Sequence, residues 1–499
     1  MTLKTNPCIL CLSFALMISS VIGYVNDSQL TNEINTESCE NIDSSVLAIN
    51  NFTLDLYKQI ISPNGIKDVF FSPISVTMAL SILLLGADGK TKSEMRNVLH
   101  MAGLSDETAH HSLMCLMQLL HSGETGNEFI SANKLFPSKH LNVKNAFLRY
   151  VERFYDGSVR QLNFSDVDGS MNTINKWVAK RTNNMIKDVL HPGDLDALTV
   201  MVLVNAVYFK GEWRGKFLAN HTKPHYFYPS PNSAAINVTM MYKTGKFNYH
   251  DSTGLDAEFI ELPYREDEHQ KLSMVLVIPK ETYGLPELEQ KLTLENLMHG
   301  IKQMRIVQKD IFLPKLMLKS RYTLDLYLKA LGMKDLFSSE INLSQFSDDQ
   351  SIALSAVLHE AVIKVTEEGT EASSMTSTLT TRTVRSSITC DHPFIFLIRD
   401  RTTGVILFIG RTVEPPKVEQ TVIQAGLKRG CDYENCKMKC RNGCYEELRL
   451  LLLEEDNSLK LDNIKIVKRL FKKDKIKKHS KNFAGCKKKC NNLCNKDCP

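Results

Sequence analysis

The densest chemistry in this chain lies in its cysteines, which are unevenly spread. Eight of the thirteen, Cys431, Cys436, Cys440, Cys444, Cys486, Cys490, Cys494 and Cys498, fall in about the last seventy residues. Spacings of four recur in both halves of that group, so each half lines one face of a helix. Cysteines at this density hold zinc where the medium is reducing and form disulfides where it is oxidising. The start of the chain points to the second case. Lys4, an apolar run from Cys8 to Ile22 and the small residues Ser19, Ser20 and Gly23 have the layout of a secretory leader, cleaved near Gly23. Two antiparallel tail helices would then pair Cys444 with Cys486, Cys440 with Cys490 and Cys436 with Cys494, and Cys431 with Cys498 would close the far end. Loss of Cys8 and Cys11 with the leader leaves an odd count, so one thiol stays free or pairs with another molecule. Cys39, Cys115 and Cys390 are the three outside the tail.

Other polar features fit an extracellular chain. Asn-x-Ser/Thr acceptors occur at Asn26, Asn51, Asn163, Asn220, Asn237 and Asn342. From Lys417 onward there are 21 Lys/Arg against 11 Asp/Glu, although the whole chain is only +5. The main body is therefore acidic and the tail alone should seek anions. Lys465, Lys468, Arg469, Lys472, Lys473, Lys475, Lys477 and Lys478 alternate with Ile464, Ile466, Val467, Leu470, Phe471 and Ile476. This basic amphipathic pattern suits a sulfated glycosaminoglycan better than nucleic acid in a secreted protein.

Hydrolase chemistry has no signature here: Gly-x-Ser-x-Gly, His-Glu-x-x-His and the P-loop are all missing. No cofactor, metal or membrane span is expected, and the chain reads as a monomer. His359 shares strand parity with Val357, Ala361, Ile363 and Val365, which points it inward as a hydrogen-bonded core residue rather than a catalyst.

The elements that must position these residues follow from periodicity. Val46, Ile49, Phe52, Leu56, Tyr57 and Ile60 predict an amphipathic helix over Val46 to Ile61, and a strongly apolar helix spans Val76 to Leu85, ended by Gly86. The run from Thr199 to Phe209 is apolar on both parities, as in a strand covered on both faces. Lys271 to Pro279, Ser351 to Val365, Phe394 to Ile398 and Val405 to Ile409 also read as strands. Helices first and strands later give an α+β class. Residues 1–23 form the leader, 24–45 an N-terminal segment, 46–416 one large domain and 417–499 the stapled tail. Between Val365 and Pro393 runs a Thr- and Ser-rich stretch too long for an ordinary connection.

The ordered motifs Phe70-Phe71-Ser72-Pro73-Ile74-Ser75, Asn175-Lys176-Trp177-Val178 and Leu203 to Trp213, then Leu313-Pro314-Lys315, Glu367 to Ala372 and Asp391 to Phe396, resemble the serpin family. The resemblance implies three sheets covered by about nine helices, with an exposed reactive loop that baits a serine protease. After cleavage and acylation, that loop inserts into the main sheet, a strand addition general to the family. By the same resemblance, Glu367, Glu368, Gly369, Thr370, Glu371 and Ala372 are the hinge. Ser72, Ser75, Asn205 and His359 form a polar gate where the sheet opens. Lys315 and Glu367 form a salt bridge beside Trp213 where the loop begins.

The loop itself supports insertion. Thr370, Ala372, Ser374, Thr376, Thr378 and Thr380 share one strand parity and are small and uncharged, whereas Glu371 falls on the other. Gly369 suits a pivot. Family spacing counted from the two ends points to Arg382 or Thr383 before the scissile bond, and trypsin-like proteases prefer Arg. Arg382-Thr383 is the first choice, with Thr383-Val384 and Arg385-Ser386 as alternatives. The rival function is a non-inhibitory binding or carrier protein whose loop never inserts.

Overall fold

The computed structural model describes residues 39, 42–65, 67–121, 127–267, 270–349, 352–367 and 386–418. The leader, the acceptor Asn26, hinge residues 368–372, the bond at Arg382 and Thr383, and the tail cysteines and lysines lie outside the described residues.

The chain divides into two compact units, Met1–Lys417 and Val418–Pro499. The first begins with α1 (Asp43–Asn64), strand β1 (Val69–Phe71) and α2 (Pro73–Gly86). Thirteen of the fourteen α2 residues are buried, the pattern of a helix that is apolar all round. Its start is set by Ser72, whose hydroxyl caps the Ser75 N–H, with Pro73 filling the first turn, where a missing N–H costs nothing. Each of its buried Leu and Ile side chains contributes about 1.5–3 kcal/mol.

Next come α3 (Gly89–Val98), α4 (Asp106–His121), β2 (Glu128–Pro137), α5 (Asn145–Tyr155) and α6 (Val167–Arg181). Strands then dominate: β3 (Met201–Lys210), β4 (Lys223–Phe227), β5 (Ile236–Ser252), β6 (Ala257–Pro263) and β7 (Leu272–Pro279). After α7 (Leu285–Lys291) and α8 (Leu294–Gln303) follow β8 (Arg305–Pro314), β9 (Leu316–Thr323), α9 (Asp325–Leu331) and β10 (Ala356–Val365). The last strands are β11 (Ser387–Thr389), β12 (Phe394–Asp400) and β13 (Ile406–Thr412). The α+β order is that expected, with the first helix reaching back to Asp43. The strand foreseen from Ser351 begins only at Ala356.

Four strands make one sheet in the order β2-β3-β10-β9. Its outer pairs are antiparallel, but the central pair β3 and β10 is parallel, in register from Val202 opposite Ala356 to Phe209 opposite Ile363. Both strands are buried on both faces, which their unbroken apolar runs require. One face packs on α2 within the main core, and the other packs Phe136, Val204 and Leu358 under Ile174 and Val178 of α6.

The remaining nine strands form one continuous hydrogen-bonded assembly. Its continuity comes from β5. Over 17 residues this strand pairs with β4 and β8 and then with β6, so two of the three sheets implied by the resemblance share it.

Candidate functional site

The centre of the four-stranded sheet carries a polar row where an apolar one would suffice. Asn133, Asn205, His359 and Tyr322 stand side by side on β2, β3, β10 and β9 in successive register pairs. The hydrogen bonds fix the histidine's tautomer. The Ser72 backbone N–H donates to His359 Nε2 at 3.3 Å, so that nitrogen is bare, and Nδ1–H donates to Asn205 Oδ1. Burial drives the His359 pKa down to about 3, so the ring is neutral. Tyr322 stacks on it with centroids 6.3 Å apart.

Asn205 Nδ2 in turn donates to the Ser75 carbonyl at 3.2 Å, to Ser75 Oγ at 2.5 Å and to Asn133 Oδ1. Ser75 Oγ also meets Ser131 Oγ at 2.6 Å, and Ser72 Oγ donates to the Leu407 carbonyl of β13 at 2.7 Å. The structure thus brings Ser72, Ser75, Asn205 and His359 into one buried network that ties the sheet to α2 and β13. A strand entering between β3 and β10 must break the contact of Asn205 with His359. Every buried polar group in the row would then need a new partner.

At the end of β10 the chain is pinned a second time. Trp213 Nε1 donates to the Thr366 carbonyl at 3.0 Å, and its ring stacks on Tyr264 at 4.4 Å and 7°. A Cβ at Gly211 would run into that tyrosine ring, so the approach needs glycine. Lys315 Nζ lies 2.8 Å from Glu367 Oε2, and Thr222 Oγ1 donates to Glu367 Oε1 at 2.8 Å. Partial burial opposes ionisation of Glu367. The hydrogen bonds from Lys315, its own backbone N–H and Thr222, with the Lys315 charge, outweigh it and hold the carboxyl below its ordinary pKa. The chain resumes at β11, paired in parallel with β8 from Ser387 opposite Asp310. The described chain is therefore anchored on either side of residues 368–385, at Glu367 beside Lys315 and at Ser387 beside β8.

Sequence reasoning missed Asn133, Tyr322, Thr222 and Tyr264. Only the first carried a readable sign, Ser131 and Asn133 recurring at strand period amid apolar neighbours. Cys39 and Cys115 form a disulfide, and Cys390 is the free thiol among the described cysteines, its pKa pushed up by burial. Asn163, Asn220, Asn237 and Asn342 are exposed, whereas Asn51 is half-buried within α1 and its Nδ2 donates to the Leu47 carbonyl. Among the described residues no cluster of potential metal ligands occurs, and no helix is long and apolar enough to cross a membrane.

A family model described as serpin, serine protease inhibitor, matches residues 47–415. The chain belongs to the serpin family. Human Serpin B3 is 34% identical over 385 residues, covering 73% of this chain and 97% of that protein. The leukocyte elastase inhibitor of Xenopus laevis is 35% identical, covering 75% of this chain and all of its own length. Among solved structures, uncleaved ovalbumin matches with a TM-score of 0.68 at 28% identity over 74% of this serpin and all of that chain. Human thyroxine-binding globulin in its ligand complex matches with 0.69 at 26% identity, over 75% of this serpin and all of that chain. The basic, cysteine-rich tail of this serpin lies beyond the matched residues.

Proposed function

We propose that this serpin is an extracellular inhibitor of trypsin-like serine proteases and works as a suicide substrate: the cleaved loop inserts between β3 and β10 and carries the acylated protease with it. The observation that carries this reading is the parallel β3 and β10 pair behind a breakable polar row. An inserted loop strand would follow β10 in the chain and have to double back on it, so it would run antiparallel to both neighbours. It would replace one parallel pairing by two antiparallel ones, the more stable kind per residue. The small side chains on the Thr370 parity can enter such a gap without a preformed cavity. In this reading the protein is a ligand for a protease and not itself an enzyme.

Secretion is supported by the leader pattern of residues 1–23 and by the Cys39 to Cys115 bridge, since disulfides persist in oxidising compartments. The tail lysines would hold the inhibitor on a sulfated glycosaminoglycan, and exposed Asn163, Asn220, Asn237 and Asn342 are the acceptors best placed for glycans. The alternative, a binding or carrier serpin, takes support from the likeness to thyroxine-binding globulin.

One experiment separates the two. The protein is mixed with a panel of trypsin-like proteases and run on a denaturing gel, and the released carboxy-terminal fragment is weighed. A detergent-resistant complex and a fragment starting at Thr383 are expected. Cleavage without complex would favour the carrier, and a fragment starting at Val384 or Ser386 would move the reactive bond.

A further inference from the structure

A cleft of about 630 Å³ opens where the end of α1, the start of α7, the connection from β4 to β5 and the chain entering β12 come together. Small-molecule sites have volumes of about 300–1,000 Å³. The lining is apolar and stiff. Pro229 and Pro393 are buried, Pro286 is exposed, and Leu285, Ile61 and the exposed Tyr283 ring complete the apolar walls. Proline fixes its own backbone angle. The segments that carry the buried prolines are also tied down: the Tyr228 N–H donates to the Asp391 carbonyl at 2.8 Å, and His392 Nε2–H donates to the Pro279 carbonyl at 2.8 Å. A hollow so braced is preformed, which spares a ligand the cost of ordering it.

The same cleft is lined by Arg411 of β13 and Glu289 of α7, only 3% and 8% exposed. Arg411 Nη1 donates to both Glu289 oxygens, at 2.9 and 2.8 Å, its Nε donates to the Lys67 carbonyl at 2.8 Å, and its Nη2 donates to the Gly65 carbonyl. Glu289 Oε1 also accepts the Tyr57 hydroxyl at 2.6 Å. The pair cancels its own charge, so an added anion would meet Glu289 and an added cation would meet Arg411, each without compensation. A guanidinium carries five N–H groups, of which these bonds use four. The fifth, on Nη2, can serve one more acceptor.

We propose that this cleft binds a small, rigid, uncharged molecule, an aryl or cyclic hydrocarbon body carrying one ketone or ester oxygen. Its rings lie against Leu285, Pro229 and Pro393, and its oxygen accepts from Arg411. The bound molecule would bridge segments that chain order keeps far apart, and by mass action it would raise the melting temperature of the fold. Neither the binding nor that gain depends on whether the reactive loop inserts.

The test irradiates the intact full-length protein with benzophenone, a neutral diaryl ketone that on near-ultraviolet excitation bonds to neighbouring C–H groups, and maps the labelled peptides by mass spectrometry. Saturable labelling of the peptides that carry Tyr228 to Pro231 or Tyr283 to Gln290 is expected. Ser62→Trp, at an exposed position of α1 that lines the cleft, should cut that labelling roughly tenfold. The carboxylate analogue 4-benzoylbenzoate should label the same peptides several-fold less. Labelling that does not saturate, or that centres on other peptides, overturns the site, as does full labelling of Ser62→Trp. Equal or stronger labelling by the carboxylate overturns the uncharged class and assigns the ligand's charge to Lys58, which lines the cleft from α1. Should Ser62→Trp melt early, competition on the unaltered protein decides. There 9-fluorenone should protect the labelled peptides roughly tenfold better than fluorene, which lacks the oxygen, and equal protection overturns the bond to Arg411.

Discussion

His359 and Glu360 are neighbours in β10, yet the pleat sends them to opposite faces of one sheet, both with no exposed surface. Toward α2, His359 closes the sheet with neutral hydrogen bonds to Ser72 and Asn205. Toward α6, Glu360 has the Lys319 ammonium 3.0 Å away, and Arg321 beside it donates to the Val189 carbonyl and pairs with Asp194. Burial pushes both groups toward neutrality, the imidazole pKa down to about 3 and the carboxyl pKa up against the pull of Lys319. The face that would break under the proposed insertion is therefore held by contacts indifferent to salt. The opposite face is held by charges whose desolvation costs stability.

The largest expected effect carries the same two-face distinction into the loop. Thr370→Arg puts a guanidinium on the parity that must enter the sheet, at a cost of several kcal/mol, enough to turn inhibitor into substrate. Glu371→Arg, on the other parity, should leave trapping nearly intact. If a denaturing gel shows full complex yield for Thr370→Arg, the loop does not enter with that parity.

Next in size is His359→Ala, which orphans the Ser72 N–H and Asn205 and leaves a hollow beside Tyr322. A loss of about 3 kcal/mol is expected in urea unfolding of the intact protein. A loss below about 1 kcal/mol, within the range of a solvated contact, would mean that the row does not close the sheet.

The pH dependence should separate the faces by sign. His359 folds neutral, and the unfolded chain takes up its proton near pH 6.5. Its contribution is full above that value and falls by about 1.4 kcal/mol per pH unit as pH drops toward 3. His110, whose pKa is lowered to about 4 by burial, adds a similar slope over a shorter window. Stability measured from pH 7 to 4.5 should therefore fall less steeply in His359→Ala than in the unaltered protein. Identical slopes would refute a neutral His359.

Glu360 runs the other way, because a carboxyl with a raised pKa regains its proton first in the folded state. Its charge costs stability at neutral pH, and that cost fades as pH falls through the folded pKa. Glu360→Gln should accordingly raise the melting temperature modestly at pH 7, with a gain that shrinks on acidification. A lowered melting temperature at pH 7 would show instead that the Lys319 pair outweighs its desolvation.

Local pattern carried much of this into the sequence. The two-sided apolar runs of β3 and β10 announced strands buried on both faces, and the parity of His359 told which way it points. The all-round apolar character of α2 announced a buried helix. What stayed hidden depends on register between segments distant in the chain. Nothing near Asn133 says that it will face Asn205, 72 residues on, and nothing near Thr222 says that it will reach Glu367. The pairing of Cys39 with Cys115 was equally illegible, since a disulfide partner is chosen by proximity in the fold and not by spacing.

That bridge alters the connectivity of the molecule itself. Joining positions 76 residues apart, it makes α1, β1, α2, α3 and most of α4 parts of one closed covalent ring. A force applied across the two termini would pass from Cys39 directly to Cys115 and never load the ring. Stretched as a single molecule, the oxidised protein should come up short by about 260 Å of contour length relative to the reduced one. The helix under the gate would then keep its tether to the rest of that ring while the remainder of the chain is drawn out.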